Sequence, residues 1–271
     1  MSRIINITPN RYTALALGLT PFILLLCIYL WGSAARKAEN PNDKLLPGFT
    51  QMQSAMERLA LEPNKRTGDY LFWKDTQSSL KMLGTSVLIA ASVGLIFGIL
   101  MGAIPLINAN LNPVVTAISL VPPLALLPIL FIVFGLGELS KVMLITIGIT
   151  PVIIRDLSSK VKEIPKELII KAQTLGASSF QIIIRVVLPQ VLTRLIEALR
   201  LSLGAAWLFV IAAEAIASTD GLGYRIFLVR RYLSMDVILP YVAWITVLAF
   251  FFDWSLKQLS EKMFPWYYGR S

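Results

Sequence analysis

Long apolar runs alternate with short polar stretches along the chain, and the run lengths set the first expectation. Ala14 to Gly32 is 19 residues without a charge, close to the roughly 20 that a helix needs to cross a hydrocarbon core. Met82 to Gly137 is 56 residues without a charge, room for two spans and a connector. These spans are placed near Met82 to Ile104 and Val114 to Phe134, with Asn108, Asn110, Asn112 and Pro113 marking the connector. Three more are expected near Leu139 to Ile154, Leu199 to Ala217 and Val237 to Leu256. Six spans put both termini on one side.

Within the second span Gly94, Gly98 and Gly102 recur every fourth residue, so they share a helix face and permit close helix packing. The third holds Pro122, Pro123 and Pro128 and is expected to break or bend, freeing backbone carbonyls that need partners in a bundle or a wet cavity. Ordinary kinking and a place in a transport pathway both fit those prolines. The polar stretch from Ala34 to Lys81 contains Asn40-Pro41-Asn42-Asp43, an amphipathic helix over Thr50 to Leu61 and a turn at Pro63 to Gly68. A second short helix is expected near Asp69. The first span, preceded by Arg3 and Arg11 and followed by Ser33-Ala34-Ala35, is read as a retained anchor. Cleavable signals have apolar cores of only about 7–15 residues.

Composition narrows the function. Of 271 residues 56% are hydrophobic and 15% charged, with a mean hydropathy of +0.69. A soluble domain carries about 25% charged residues. The net charge of +9 alone suggests a nucleic-acid partner, but a membrane explains it better, and no nucleic acid is expected. The chain has no histidine and one cysteine, Cys27, so the commonest general base, thiolate clusters and internal disulfides are missing. No metal or cofactor is expected. A membrane enzyme would need acids, ligands or a nucleophile with its base, and that constellation is absent.

The region from Lys160 to Arg194 is polar and helical in pattern. Pro165 suits a helix start, Lys166 to Leu175 follows, and Gly176-Ala177-Ser178 breaks the run. Phe180 to Val187 forms a second short helix ending at Leu188-Pro189. Such a knob suits another protein's groove. On periodicity alone a solvated loop fits equally well.

Lys171 to Ser178, followed by Val186-Val187-Leu188-Pro189, resembles the cytoplasmic EAA loop of ABC importer permeases. Gly176, Leu188 and Pro189 fall on register, whereas the Glu-Ala-Ala positions are Ile170, Lys171 and Ala172, so the signature glutamate is missing. Leu45-Leu46-Pro47, Asp75 to Leu80, Val121-Pro122-Pro123, Leu126-Leu127-Pro128 and Phe134-Gly135-Leu136-Gly137 resemble the nitrate, sulfonate, taurine and bicarbonate branch. So do Ala213-Glu214, Gly221-Leu222-Gly223 and Phe264-Pro265-Trp266.

The resemblance implies an all-α type I ABC importer transmembrane domain of about six helices with a cytoplasmic coupling-helix loop. The implied divisions are residues 1–33 (N-terminus and first span), 34–81 (extracytoplasmic) and 82–271 (permease core, with the loop at 158–197). Lys and Arg divide almost evenly between the two sides, so only the resemblance orients the chain. It implies a multi-pass protein of the bacterial inner membrane, in contact with lipid, with both termini cytoplasmic. The implied partners are two ATP-binding subunits, a second permease copy forming a homodimer, and an extracytoplasmic substrate-binding protein. ATP hydrolysis falls to the partner, since the chain has no phosphate-binding Gly-x-x-x-x-Gly-Lys-Ser/Thr loop.

The resemblance also implies a small oxyanion as the solute: nitrate, bicarbonate, taurine or an alkanesulfonate. A small nitrogen compound such as urea or guanidine is the alternative cargo, and a non-transporting membrane anchor is the alternative function. The resemblance implies that Ala172, Leu175, Gly176, Ala177, Ser178, Leu188 and Pro189 dock the ATPase. Pathway candidates are Pro122, Pro123, Pro128 and Glu214, an acid inside a span and therefore costly. Glu214 equally fits a local pairing with Arg225, Arg230 or Arg231. Those arginines either meet the substrate or binding protein, or form a solvated cluster.

Overall fold

The computed structural model describes residues 10–40, 44–65 and 67–269. Arg3, Pro41, Asn42, Asp43 and Arg66, which enter the sequence argument, lie outside them. Among the described residues the elements are helices. They comprise α1 (Arg11–Glu39), α2 (Phe49–Ala60), α3 (Leu71–Ala103), α4 (Pro105–Leu120), α5 (Leu127–Phe134) and α6 (Glu138–Lys162). Then follow α7 (Lys166–Thr174), α8 (Ser179–Ile182), α9 (Leu188–Ala217), α10 (Leu222–Arg230) and α11 (Met235–Met263). Five helices are long and apolar enough to cross a membrane, and the bent pair Pro105–Leu120 plus Pro123–Phe134 can supply a sixth.

The predicted glycine face holds α3 to α6. A Cβ on Gly94 would lie 2.5 Å from Ile153, one on Gly98 2.7 Å from Leu157, and one on Gly102 would strike Val161. Both rows advance by four, so the helices touch along one seam. Between spans in lipid there is little hydrophobic drive, and such close van der Waals packing does the holding. Gly148 receives the Phe209 ring of α9 in the same way, at 2.5 Å.

The proline run bends the chain by 88° between α4 and the Pro123–Phe134 segment, as the sequence predicts. The connector is a different matter. Asn108, Asn110, Asn112 and Pro113 lie inside α4, and the break falls at Ile104, whose ψ of 105° is extended. The residue before a proline is driven out of the helical region, so Pro105 ends α3 and opens α4 as its first residue.

Two further expectations are corrected. No separate short helix begins near Asp69; α3 starts at Leu71 and runs unbroken into the span, so the 81/82 boundary cuts through it. Nor does Leu188-Pro189 end a helix. Ser179–Ala217 is one continuous 39-residue span, with a π segment at Ile183–Val187 in which Leu188 N–H donates to the Ile183 carbonyl. Pro189 lacks an N–H, and its ring would clash with the carbonyl four residues back in a regular α-helix. The wider π turn places that loss where the helix tolerates it.

One end of the bundle carries α7 and α8, and the other carries α2 and α10. Near the α7 end, Arg194 pairs with Asp156 at 2.6 Å and Arg200 with Asp253 at 2.9 Å. These pairs fasten α9 to α6 and α11. Helix α1 stands apart with its apolar surface exposed. It is tied by Tyr29, whose hydroxyl donates to the Pro47 carbonyl at 2.6 Å, and by Ser33, which donates to the Leu46 carbonyl at 3.0 Å.

Candidate functional site

At the α7 end the predicted knob is a closed turn. Gly176 N–H donates to the Gln173 carbonyl at 2.9 Å and Ala177 N–H to the Ala172 carbonyl at 3.0 Å. This Schellman closure satisfies carbonyls at the α7 C-terminus and needs a left-handed residue, which Gly176 supplies with φ +79°. Ser178 then caps α8: its N–H donates to Gln181 Oε1 at 2.8 Å, and its Oγ accepts from Gln181 N–H at 3.3 Å. Ala172 and Ala177 are half-buried against the bundle, while Leu175 is 87% and Phe180 72% exposed. Leu188 and Pro189 are half-buried at the root of the same structure. A rigid turn therefore presents large apolar side chains to the surroundings. Beneath it lies a cavity of 720 Å³ lined by Gly102, Pro105, Val161, Lys162, Ile169 and Ile182, among others.

At the opposite end three successive backbone N–H groups opening α10 are each held by a different side chain. Gly221 N–H donates to Asp75 Oδ1 at 3.1 Å, Leu222 N–H to Ser79 Oγ at 2.9 Å, and Gly223 N–H to Glu214 Oε2 at 2.8 Å. Helix starts leave such donors without intrahelical partners, and here α3 and α9 supply them. Ser79 Oγ–H also donates to Glu214 Oε1 at 2.7 Å. Arg225 Nε donates to Asp75 Oδ2 at 2.8 Å, and Tyr241 of α11 donates to the same oxygen at 3.2 Å. Asp75, Ser79 and Glu214 are fully buried.

The glycines are required by this geometry. Gly221 has φ +114°, and a Cβ there would lie 2.5 Å from Glu214 Oε1; a Cβ on Gly223 would lie 2.6 Å from the Ile211 carbonyl oxygen. Two acids at the N-terminus of α10 also complement its dipole. Burial opposes the Arg225 charge, but the hydrogen bond and charge of Asp75 outweigh it and hold the guanidinium above its ordinary pKa. Beside the cluster, Lys141 Nζ donates to Ser218 Oγ at 2.5 Å, and Ser78 donates to Asp220 at 2.9 Å.

Glu214 thus faces no opening, and its partners are Ser79 and Gly223 rather than an arginine. Arg225 is engaged by Asp75. Arg230 and Arg231 are exposed, with Arg230 stacked 4.9 Å over Phe227. Pro122 and Pro128 are exposed and Pro123 half-buried, all at the 88° bend. Sequence reasoning missed Asp75 and Ser79 because it placed them outside the span. The available signal was an acid and a serine four apart, on one face of what proves to be the first turns of α3.

Residues 94–265 match the model of the binding-protein-dependent transport system inner membrane component family. The chain belongs to that family. It is 35% identical to the taurine transport system permease protein TauC of Escherichia coli (strain K12) over 199 residues, 73% of this chain and 72% of that protein. It is 29% identical to the bicarbonate transport system permease protein CmpB of Synechocystis sp., over 72% of this chain and 70% of that one. Among solved structures, an inward-facing form of the MetNI methionine ABC transporter superposes with a TM-score of 0.63 at 20% identity. That superposition covers 73% of this chain and 99% of the other. The fold is that of a type I ABC importer transmembrane domain, and the chain is a multi-pass ABC permease of the inner membrane.

Proposed function

We propose that this permease forms the translocation path of an ATP-driven importer for a small oxyanion of the taurine, alkanesulfonate, bicarbonate or nitrate class. It works as a homodimer with two ATP-binding subunits and a soluble binding protein, surrounded by membrane lipid. The family implies the ATP-binding and binding-protein partners; the relatives named for taurine and bicarbonate transport support the substrate class.

The carrying observation is the Gly176 turn, rigidly closed and crowned by exposed Leu175 and Phe180. It docks in a groove of the ATP-binding subunit through Ala172, Leu175, Gly176, Ala177 and Ser178, with Leu188 and Pro189 at its base. That side is cytoplasmic, with both termini, and α2 and α10 lie outside. Residues 34–70, ahead of α3, form the outer segment, and the core runs from the start of α3 at Leu71. ATP drives transport only if the two permease conformations contact the ATPase differently, and the turn is where the contacts differ. The bend at Pro122, Pro123 and Pro128 borders the path. Exposed Arg230 and Arg231 meet the binding protein, since basic groups steer an acidic partner.

The test is Gly176→Trp in the purified complex. The account predicts loss of co-purification with the ATPase or loss of substrate-stimulated ATPase. Normal association together with normal stimulation contradicts it.

A further inference from the structure

Glu214 and Ser178 sit near opposite ends of one helical body. Ser178 caps α8, and the span Ser179–Ala217 then runs without a break for 39 residues, about 58 Å at 1.5 Å per residue. At its far end Glu214 grips Gly223 N–H and Ser79, so α10 is bolted to the helix that begins at the docking turn. Asp75 and Ser79 make the same grip from α3.

We infer that Glu214, with Ser79 and Asp75, is a positioning residue that fixes α10 to α9 and α3, so that docking of a binding protein on α10 is felt at the ATPase turn. This rests on the importer reading above. Three points carry it. All three gripping side chains are fully buried and hydrogen-bonded to consecutive N–H groups. Gly221 and Gly223 leave no room for any other side chain at the joint. The other end of α10 is the exposed one, with Arg230 in its last turn and Arg231 and Tyr232 just beyond it. A buried acid whose oxygens are both engaged serves by reach, not by carrying charge to a ligand.

Reach and charge can be separated. In Glu214→Gln the amide oxygen still accepts from Gly223 N–H and the amide nitrogen donates to Ser79. In Glu214→Asp the charge is kept, but the side chain is one methylene short. The experiment measures ATPase of the reconstituted complex with and without its binding protein. The wild-type protein is stimulated. Glu214→Gln keeps that stimulation, whereas Glu214→Asp loses it by about tenfold, the weight of one hydrogen bond, with basal ATPase and co-purification at wild-type level. Retention by Asp with loss by Gln overturns the inference, as do wild-type behaviour of both or equal loss of basal and stimulated rates. If Glu214→Asp does not assemble, Ser79→Ala carries the same prediction, and full stimulation there overturns it. Absence of stimulation in the wild-type protein by any binding protein counts against the importer reading instead.

Discussion

Arg225 Nε donates to Asp75 Oδ2 at 2.8 Å, across 150 positions of sequence, with the arginine side chain 13% and the aspartate 0% exposed. The pair joins α10 to α3 in a place where the aspartate has no water to fall back on and the arginine has little. Removing one partner of a buried ion pair costs about 3–5 kcal/mol because the other is left uncompensated.

The two ends of that pair are unequal. Without Arg225, Asp75 still accepts from Gly221 N–H and Tyr241; without Asp75, donors on three residues lose their acceptor. Thermal unfolding of the purified complex is expected to show Asp75→Ala lowering the midpoint more than Arg225→Ala. The reverse order would mean the arginine matters apart from this pair.

The α3–α6 seam predicts a contrast between glycines of the same helix. Gly98→Ala drives a methyl to 2.7 Å of Leu157 and costs about 1–3 kcal/mol by overpacking. Gly84 has nothing within 4 Å of a Cβ, so Gly84→Ala stabilises by about 0.5–1 kcal/mol through helix propensity. Equal midpoints for both variants would show that the seam does not hold the helices.

At the turn that closes α7, φ +79° at Gly176 tolerates asparagine far better than a β-branched residue. Gly176→Asn retains coupling of ATP hydrolysis to uptake, and Gly176→Val loses it. A coupling ratio unchanged in Gly176→Val would remove the turn geometry from the mechanism.

Exposed Arg230 at the end of α10 and Arg231 just after it predict that binding-protein-dependent uptake slows as ionic strength rises, since salt screens exposed charges. Alanine at both positions flattens that dependence. A salt profile identical to wild type would move the docking contact elsewhere.

The features legible in the sequence are local ones. Spacing of four at Gly94, Gly98 and Gly102 announces a packing face whatever lies opposite, and prolines at 122, 123 and 128 announce a bend without a partner. What stayed illegible is tertiary. Asp75 looks like a solvated acid until Gly221, Arg225 and Tyr241, 146 to 166 residues away, gather around it. Counting charges therefore started the second span at Met82, three turns late. Pro189 read as a helix end because a proline costs an α-helix its hydrogen bond, and the π turn that absorbs the loss has no composition of its own.

Whether this chain carries a solute across the membrane is decided in proteoliposomes. They hold the permease, its ATP-binding subunits and its binding protein, and the measurement is ATP-dependent accumulation of labelled taurine, an alkanesulfonate, bicarbonate, nitrate and guanidine. The account predicts accumulation of at least one of the oxyanions, abolished without ATP or without the binding protein. Accumulation of guanidine alone would contradict the substrate class, and ATP hydrolysis with no accumulation of any solute would contradict the transport function.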